Sequence, residues 1–245
     1  MGSYQYLDLM SKEIRPVQDK EKLEIKRPRG PELDPAEIAF FTDVQKLLHR
    51  EETLLPGNIL RICAVDAAYH NDRVVAVASL FDHGLLKETS SYSGTCSLPY
   101  HGGLFYLREG PFAVQAVRGL KARPQLVCFD AHGAAHPRFA GLATIGGMVL
   151  GIPSVGIAKS LLVGTVAHWT GDLERIVYRG RTVGFITLTD GAKRFWSPGY
   201  AIDIRGLASL IRRHRQTCLS AMSESHRAAR AALALSVVGP GSTIG

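Results

Sequence analysis

The order of segments along the chain predicts a mixed α/β fold: one central sheet, antiparallel in its front strands and parallel through later crossovers, flanked by helices. Three observations predict it. Two short polar turns, Asn71-Asp72 and Asp82-His83-Gly84, separate three strand-like runs and so make two hairpins. The second half alternates helical stretches with short apolar runs, as parallel crossovers require. Of 245 residues, 46% are hydrophobic and 21% charged, with a mean hydropathy of +0.04, which supports a buried core and excludes general disorder or a fibrous repeat.

Residues 1–33 carry seven basic and six acidic residues and include the break Pro28-Arg29-Gly30-Pro31, so they are expected to form a charged, partly disordered arm. Asp34 as N-cap and Pro35 in the first turn open a helix. Its apolar residues Ile38, Phe40, Phe41, Val44, Leu47 and Leu48 repeat at helical spacing, and Pro56-Gly57-Asn58 ends it. Residues 61–69, 73–81 and 85–94 are the hairpin strands. Residues 109–120 read as a helix with Pro111 in its first turn, and 125–130 as a buried strand ending in a carboxylate. A small-residue helix over 139–150 and a short strand over 152–157 follow. Residues 181–188 form a later strand and 204–220 a helix ending in a basic run. Residues 223–245 read as an Ala-rich, then Gly/Pro/Ser tail. This order is that of the ribonuclease-H-like arrangement.

Lys and Arg total 29 against 22 Asp and Glu, a net charge of +7 and an isoelectric point near 9.4, which points to a polyanionic partner. Six Arg against two acids lie from Ala201 onward, so the C-terminal part carries much of the positive field. Cysteines 63, 96, 128 and 218 lack metal-type spacing, and buried reduced thiols in a cytoplasmic setting are expected. No run approaches the ~18 apolar residues of a membrane span. No basic-then-apolar secretory pattern opens the chain.

Asp66 follows the apolar run Ile62-Cys63-Ala64-Val65, and Asp130 ends Leu126-Val127-Cys128-Phe129. A carboxylate in either place is costly unless compensated. On neighbouring strands the two would converge at one sheet edge, and Glu109, opening the intervening helix, could join them. A hard divalent cation, Mg²⁺ or Mn²⁺, then resolves the repulsion, and oxygen-only donors disfavour zinc. The alternative is a set of separate caps and turn acids.

His132 and His136 are four apart, but Gly133 and Pro137 disfavour the helix a zinc pair needs. His136, in a loop at a strand's C-terminal end, can instead contact a phosphate or a base. Tyr100, in Pro99-Tyr100-His101-Gly102-Gly103, either stacks on a base or packs on its own loop. Lys159 either neutralises a phosphate at the same sheet edge or is a surface lysine. Arg212-Arg213-His214-Arg215 is either a phosphate-tracking patch or the solvated end of a helix.

Six segments in order resemble the endonuclease V (deoxyinosine 3′-endonuclease) family from about Asp34 to Arg213. They are Ala64-Val65-Asp66-Ala67-Ala68-Tyr69, Pro99-Tyr100, Leu107-Arg108-Glu109-Gly110-Pro111, Asp130-Ala131-His132-Gly133 with Ala135-His136-Pro137-Arg138, Gly156-Ile157-Ala158-Lys159, and Ser197-Pro198-Gly199. The resemblance implies a ribonuclease-H-like catalytic domain over 34–222. It implies Mg²⁺-dependent hydrolysis, with Mn²⁺ as a substitute, of the second phosphodiester bond 3′ of inosine. The products carry 3′-hydroxyl and 5′-phosphate ends, the substrate is DNA or RNA, and the enzyme is a monomer.

By the same resemblance Asp66 and Asp130 ligate the metal, Glu109 completes the shell, and Lys159 contacts the phosphate. Pro99, Tyr100, His101 and Gly102 begin a strand-separating wedge, while Gly133, His136 and Gly141 line the pocket for a flipped hypoxanthine. Three places depart from the family pattern. His101-Gly102 stands for Ile-Pro, Ala131 for glycine, and Tyr200 for the histidine after Ser-Pro-Gly, with Asp203 nearby as a candidate substitute. A related Mg²⁺-dependent nuclease of altered specificity, and a nucleic-acid binder with weak catalysis, are the alternative readings.

Overall fold

The structure, a computed structural model, describes residues 33–48, 58–167 and 173–237. Nearly all of the expected N-terminal arm, the expected helix end at Pro56-Gly57 and residues 238–245 lie outside the described residues. Asn71, left-handed at φ 55°, turns β1 (Arg61–His70) back onto β2 (Arg73–Asp82), which pair residue by residue from Arg61↔Asp82 to His70↔Arg73. His83 and Gly84, at φ 51° and 79°, turn β2 into β3 (Leu85–Thr95). Beyond α1 (Pro35–Leu47) and these hairpins come α2 (Phe105–Arg118), β4 (Leu126–Phe129), α3 (Leu142–Leu150) and β5 (Ser154–Ala158). β4 lies parallel to β1, and β5 parallel to β4, with α2 and α3 between them in sequence. The expected mixed sheet is therefore present.

The sheet extends further. β6 (Thr165–Ala167), β7 (Glu174–Tyr178), β8 (Arg181–Thr189) and β9 (Ala192–Pro198) form an antiparallel wing, joined through β9 to β5. Among the described residues the order is β3-β2-β1-β4-β5-β9-β8-β7-β6. Only β8 of this wing was expected from the sequence. The period of two sorts the core into layers. Ile62, Ala64, Leu126, Cys128, Val155 and Ile157 pack against α4 (Ile204–Val237) through Leu207, Leu210 and Ile211. Cys63, Val65, Val127 and Phe129 pack on the opposite face with Ala113, Val117 and Leu142 of α2 and α3. Each such fully buried aliphatic side chain contributes about 1.5–3 kcal/mol. All four cysteines are free and buried.

Four elements depart from expectation. Asp34 caps α1 as predicted: its side chain accepts from Ala36 N–H at 2.7 Å, and its own N–H donates to Glu37 at 2.9 Å. The helix ends at Leu47, however, and its apolar residues are split: Ile38, Phe41 and Val44 are half-buried beside the buried Gln45, while Phe40 is 63% and Leu47 82% exposed. α2 starts four residues early because Leu104 N–H bonds to His101 O and Leu107 N–H to Leu104 O. Pro111 thus sits inside the helix, where it cannot donate to the Leu107 carbonyl. α3 starts at Leu142 because Phe139 is left-handed (φ 57°), which no helix propagates through. α4 runs past Ser220 to Val237, so the expected tail is largely helix: Ala229 packs on Val75 and Val77, and this tertiary contact extends the helix. No helix among the described residues is long and apolar enough to cross a membrane.

Candidate active site

Strand parity places the charges. Asp66 continues the face of Ile62 and Ala64, Asp130 that of Leu126 and Cys128, and Lys159 that of Val155 and Ile157, all toward α4. Parallel register sets Val65 beside Phe129, and Asp130 N–H donates to the Val65 carbonyl at 3.3 Å. The two carboxylates therefore stand side by side, Asp66 midway along β1 and Asp130 just past the C-terminal end of β4. α4 crosses this edge. Buried Ser225 donates its hydroxyl to the Ala64 carbonyl at 2.8 Å, and the next side chain, His226, brings Nδ1 to 2.6 Å from Asp66 Oδ2. Donor atoms of Asp66, Asp130 and His226 all lie within 4.8 Å of one another. Lys159 Nζ donates to Asp130 Oδ2 at 2.6 Å, and Ala67 N–H to Asp66 Oδ1 at 2.8 Å.

Burial raises the Asp66 pKa above the usual carboxylate value, and the charge of Asp130 raises it further. Hydrogen bonds from His226 and Ala67, with Lys159 nearby, act against the rise. Glu109, buried on α2, is pushed well above the usual range by burial first and by Asp66 next, with Asp130 adding to it. The Tyr69 hydroxyl donates to Glu109 Oε2 at 3.2 Å and partly compensates, and Arg108 lies 5.0 Å from the Tyr69 ring centre. Asp66 and Glu109, each with a raised pKa and with the Asp130 carboxylate close by, form an electrostatic deficit that a cation would fill. Two carboxylates and an imidazole nitrogen fit a divalent ion. The candidate donor group among the described residues thus holds a nitrogen that the expected oxygen-only set lacked, and Glu109 is not one of its three members.

Beside this centre lies a cleft of about 280 Å³ lined by Asp130, Ala131, His132, His136, Gly141, Lys159 and Ser160, with Gln45, Tyr100 and Gly103 across from them. Gly133 supports it from beneath. Its N–H donates to Ser197 Oγ at 2.8 Å, Ala134 N–H donates to the Pro198 carbonyl at 2.7 Å, and a Cβ on Gly133 would stand 2.1 Å from that carbonyl oxygen. Gly156 permits the same close approach from β5, since a Cβ there would lie 2.3 Å from Ala131 O. The Ser197-Pro198-Gly199 segment is thus a clasp on the pocket loop. Ala131 has no left-handed backbone, and its methyl joins the core under α2 and α3, so alanine fits where the family pattern has glycine. Burial lowers the His132 pKa, and its Nδ1 has no hydrogen-bond partner; His132 and His136 form no joint metal group among the described residues.

Tyr100 stands at the cleft mouth, 56% exposed and edge-on to Phe105 at 6.2 Å. Pro99, His101 and Gly102 belong to its loop without lining the cleft. Tyr200 and Asp203 lie elsewhere. Tyr200 N–H donates to Ser154 Oγ at 2.9 Å, at the first residue of β5, and five residues of strand put this roughly 16 Å from Lys159. Asp203 Oδ1 accepts from Gly206 N–H at 2.5 Å and caps α4. An imidazole does stand beside the acids, that of His226, within the stretch expected to form a tail. A signal was present: Ala221, Ser225 and Ala229 recur every four residues, the mark of a helix face packed closely on a sheet. Arg212, Arg213 and Arg215 lie along the exposed side of α4, well before its end.

The sequence profile of the Endonuclease V family matches residues 43–228. An Endonuclease V from Geotalea uraniireducens is 36% identical over 196 residues, covering 74% of this chain and 84% of that protein. Among solved structures, the Endonuclease V of Streptomyces avermitilis aligns with a TM-score of 0.73 at 25% identity, over 85% of this chain and 96% of that one. The Endonuclease V of Ciona intestinalis, solved with a 23mer DNA containing an inosine followed by a ribo-adenosine, shares the fold with a TM-score of 0.71 at 16% identity, over 82% of this chain and 99% of that one.

Proposed function

The chain belongs to the endonuclease V family, and on that premise we propose that it is a nuclease hydrolysing, with a divalent cation, the second phosphodiester bond 3′ of inosine in DNA, with RNA as a further substrate. The products carry 3′-hydroxyl and 5′-phosphate ends. The observation that carries this reading is the Asp66, Asp130 and His226 cluster at the rim of a cleft large enough for one base. The inosine in the DNA of the Ciona intestinalis complex supports the choice of base.

Asp66, Asp130 and His226 would hold the ion, Mg²⁺ with Mn²⁺ as substitute, whose chemistry is Lewis-acid stabilisation of charge on the phosphate. Lys159 holds an exposed ammonium at the same edge, where it neutralises the phosphate near the bond to be cut. Glu109, buried beside the cluster with its pKa raised, would complete the shell around the ion or, in its ionised form, accept a proton from the attacking water. His136 and Gly141 face the flipped hypoxanthine, Gly133 sets the loop beneath it, and Pro99, Tyr100, His101 and Gly102 occupy the gap it leaves. Base pocket and metal centre meet at Asp130, while His136 and Gly141 belong to the pocket alone, so a base held in the pocket need not lie at the bond that is cut. Four buried free thiols suit a reducing compartment, and the cytoplasm is the proposed setting.

The test is a panel of labelled strands carrying inosine, uracil, an abasic site or no modification, in matched DNA and RNA, with Mg²⁺. Cleavage at the second bond 3′ of inosine is expected, and Asp66→Ala lowers its rate by at least about 100-fold. Equal rates on inosine and unmodified strands, or indifference to Asp66→Ala, reject the proposal.

A further inference from the structure

We infer that Gln45 is a positioning residue that locks the base cleft and the Tyr100 loop into one unit, so that selectivity for the flipped base depends on helix α1. The inference rests on the cleft being the base pocket.

Gln45 lies near the C-terminal end of α1 and is 1% exposed, while Phe40 and Leu47 of the same helix stand in solvent. Ile38, Phe41 and Val44 are only half-buried, so Gln45 is the most deeply buried side chain of the helix, and an amide withdrawn from water must recover its hydrogen bonds. Both recovered bonds lead to the cleft. Gln45 Nε2 donates to the Ala140 carbonyl at 2.7 Å, and Ala140 precedes the cleft-lining Gly141. Gln45 Oε1 accepts from Arg138 Nε at 2.6 Å. Arg138 continues across, its Nη2 donating to the Gly103 carbonyl at 2.6 Å. That carbonyl lies 3.1 Å from His136 Nε2 as well, and His136 Nδ1 accepts from Arg138 N–H at 3.2 Å. With Nδ1 accepting, the ring proton is on Nε2, so Gly103 O is held by two donors, one of them a guanidinium.

This clamp answers the departure in the wedge. The loop carries Gly102-Gly103 where a stiffer segment is usual, and consecutive glycines give a loop little rigidity. Gly103 is left-handed at φ 82°, and a Cβ there would lie 2.6 Å from Arg138 Nη2, so the guanidinium packs directly against a backbone that only glycine leaves open. Rigidity absent from the loop's own residues is supplied through Arg138, and Arg138 is aimed by Gln45. The same amide fixes the Ala140-Gly141 wall. Loss of Gln45 frees both sides together.

Gln45→Met keeps the volume and removes both bonds. In the intact protein, hydrogen exchange should show the Leu104 amide, bonded to His101 O, and the Gly141 amide, bonded to Gly133 O, losing protection together, with the sheet unchanged. On inosine strands KM should rise about tenfold, the scale of a lost buried hydrogen bond and more than kcat changes, and the preference for inosine over unmodified strands should fall with it. Gln45→Glu keeps an acceptor for Arg138, and when protonated it regains a donor for Ala140, so its KM relative to wild type should fall back as pH is lowered. Exchange confined to Gly141, or an equal loss of activity on both strands, overturns the inference. If wild type shows no preference for inosine, the reading of the cleft fails, and the exchange experiment still decides the mechanical link.

Discussion

Asp66 sits in a conflict that burial and Asp130 create and that His226, Ala67 and Lys159 only partly relieve. A carboxyl whose pKa is raised on folding binds protons more tightly in the native state, so ∂ΔG/∂pH is negative over that window. Asp66 and Glu109 therefore favour the metal-free fold near pH 4, the ordinary carboxylate value, and that contribution is lost as pH rises toward their raised native values. The expected outcome is a metal-free melting temperature that gains, from these two groups, on going from neutral to mildly acidic pH. Mg²⁺ or Mn²⁺ should raise it at neutral pH and do progressively less as the carboxyls protonate. His226→Ala should weaken the metal-induced shift, with affinity reduced by about 10–100-fold in a calorimetric titration. The acids were legible from sequence because a carboxylate after four apolar residues contradicts its surroundings. His226 was not, because a histidine in an Ala-rich stretch contradicts nothing until the helix is docked 160 residues away from its partner.

Among the elements, α4 carries the most consequence. Its first turns bury Leu207, Leu210 and Ile211, and its second half lays Ala221, Ser225 and Ala229 on β1 and β2 so closely that only small side chains fit. Ala229→Leu should destabilise the protein by about 1–3 kcal/mol through overpacking. The same substitution should lift His226 from Asp66 and blunt the metal-induced rise in melting temperature, both readable in one thermal-unfolding series. Truncation after Ser220, the end that helical pattern alone suggested, removes Ser225 and His226 and should abolish that rise entirely. The ends of α2 and α3 escaped the sequence reading for a related reason: Pro111 and Phe139 occupy positions that local preference assigns elsewhere, and packing of the flanking segments overrules it.

For the molecule as a whole, the +7 charge makes association with a phosphate backbone strongly dependent on salt. Binding of an inosine strand, measured without turnover, should weaken with a log–log slope against salt of about −3, as expected for some four phosphate contacts on a single strand. A slope near zero would remove the electrostatic part of recognition. Selectivity for inosine over an unmodified strand should vary much less with salt, because it arises in the cleft, from groups set by close packing rather than by long-range charge.

By itself the sequence determined the mixed sheet, its front hairpins, the place of Asp66 after four apolar strand residues and the strand-end positions of Asp130 and Lys159. Period-two burial and turn chemistry are local, and both are written in consecutive residues. Only the tertiary structure decided that His226 joins the acids, that Asp203 caps a helix, that Tyr200 stands at the far end of β5, and that Gln45 reaches the cleft. The Asp203 cap is a local bond to Gly206, but the other three depend on how segments about 50 to 160 residues apart pack together, which no consecutive run of residues records.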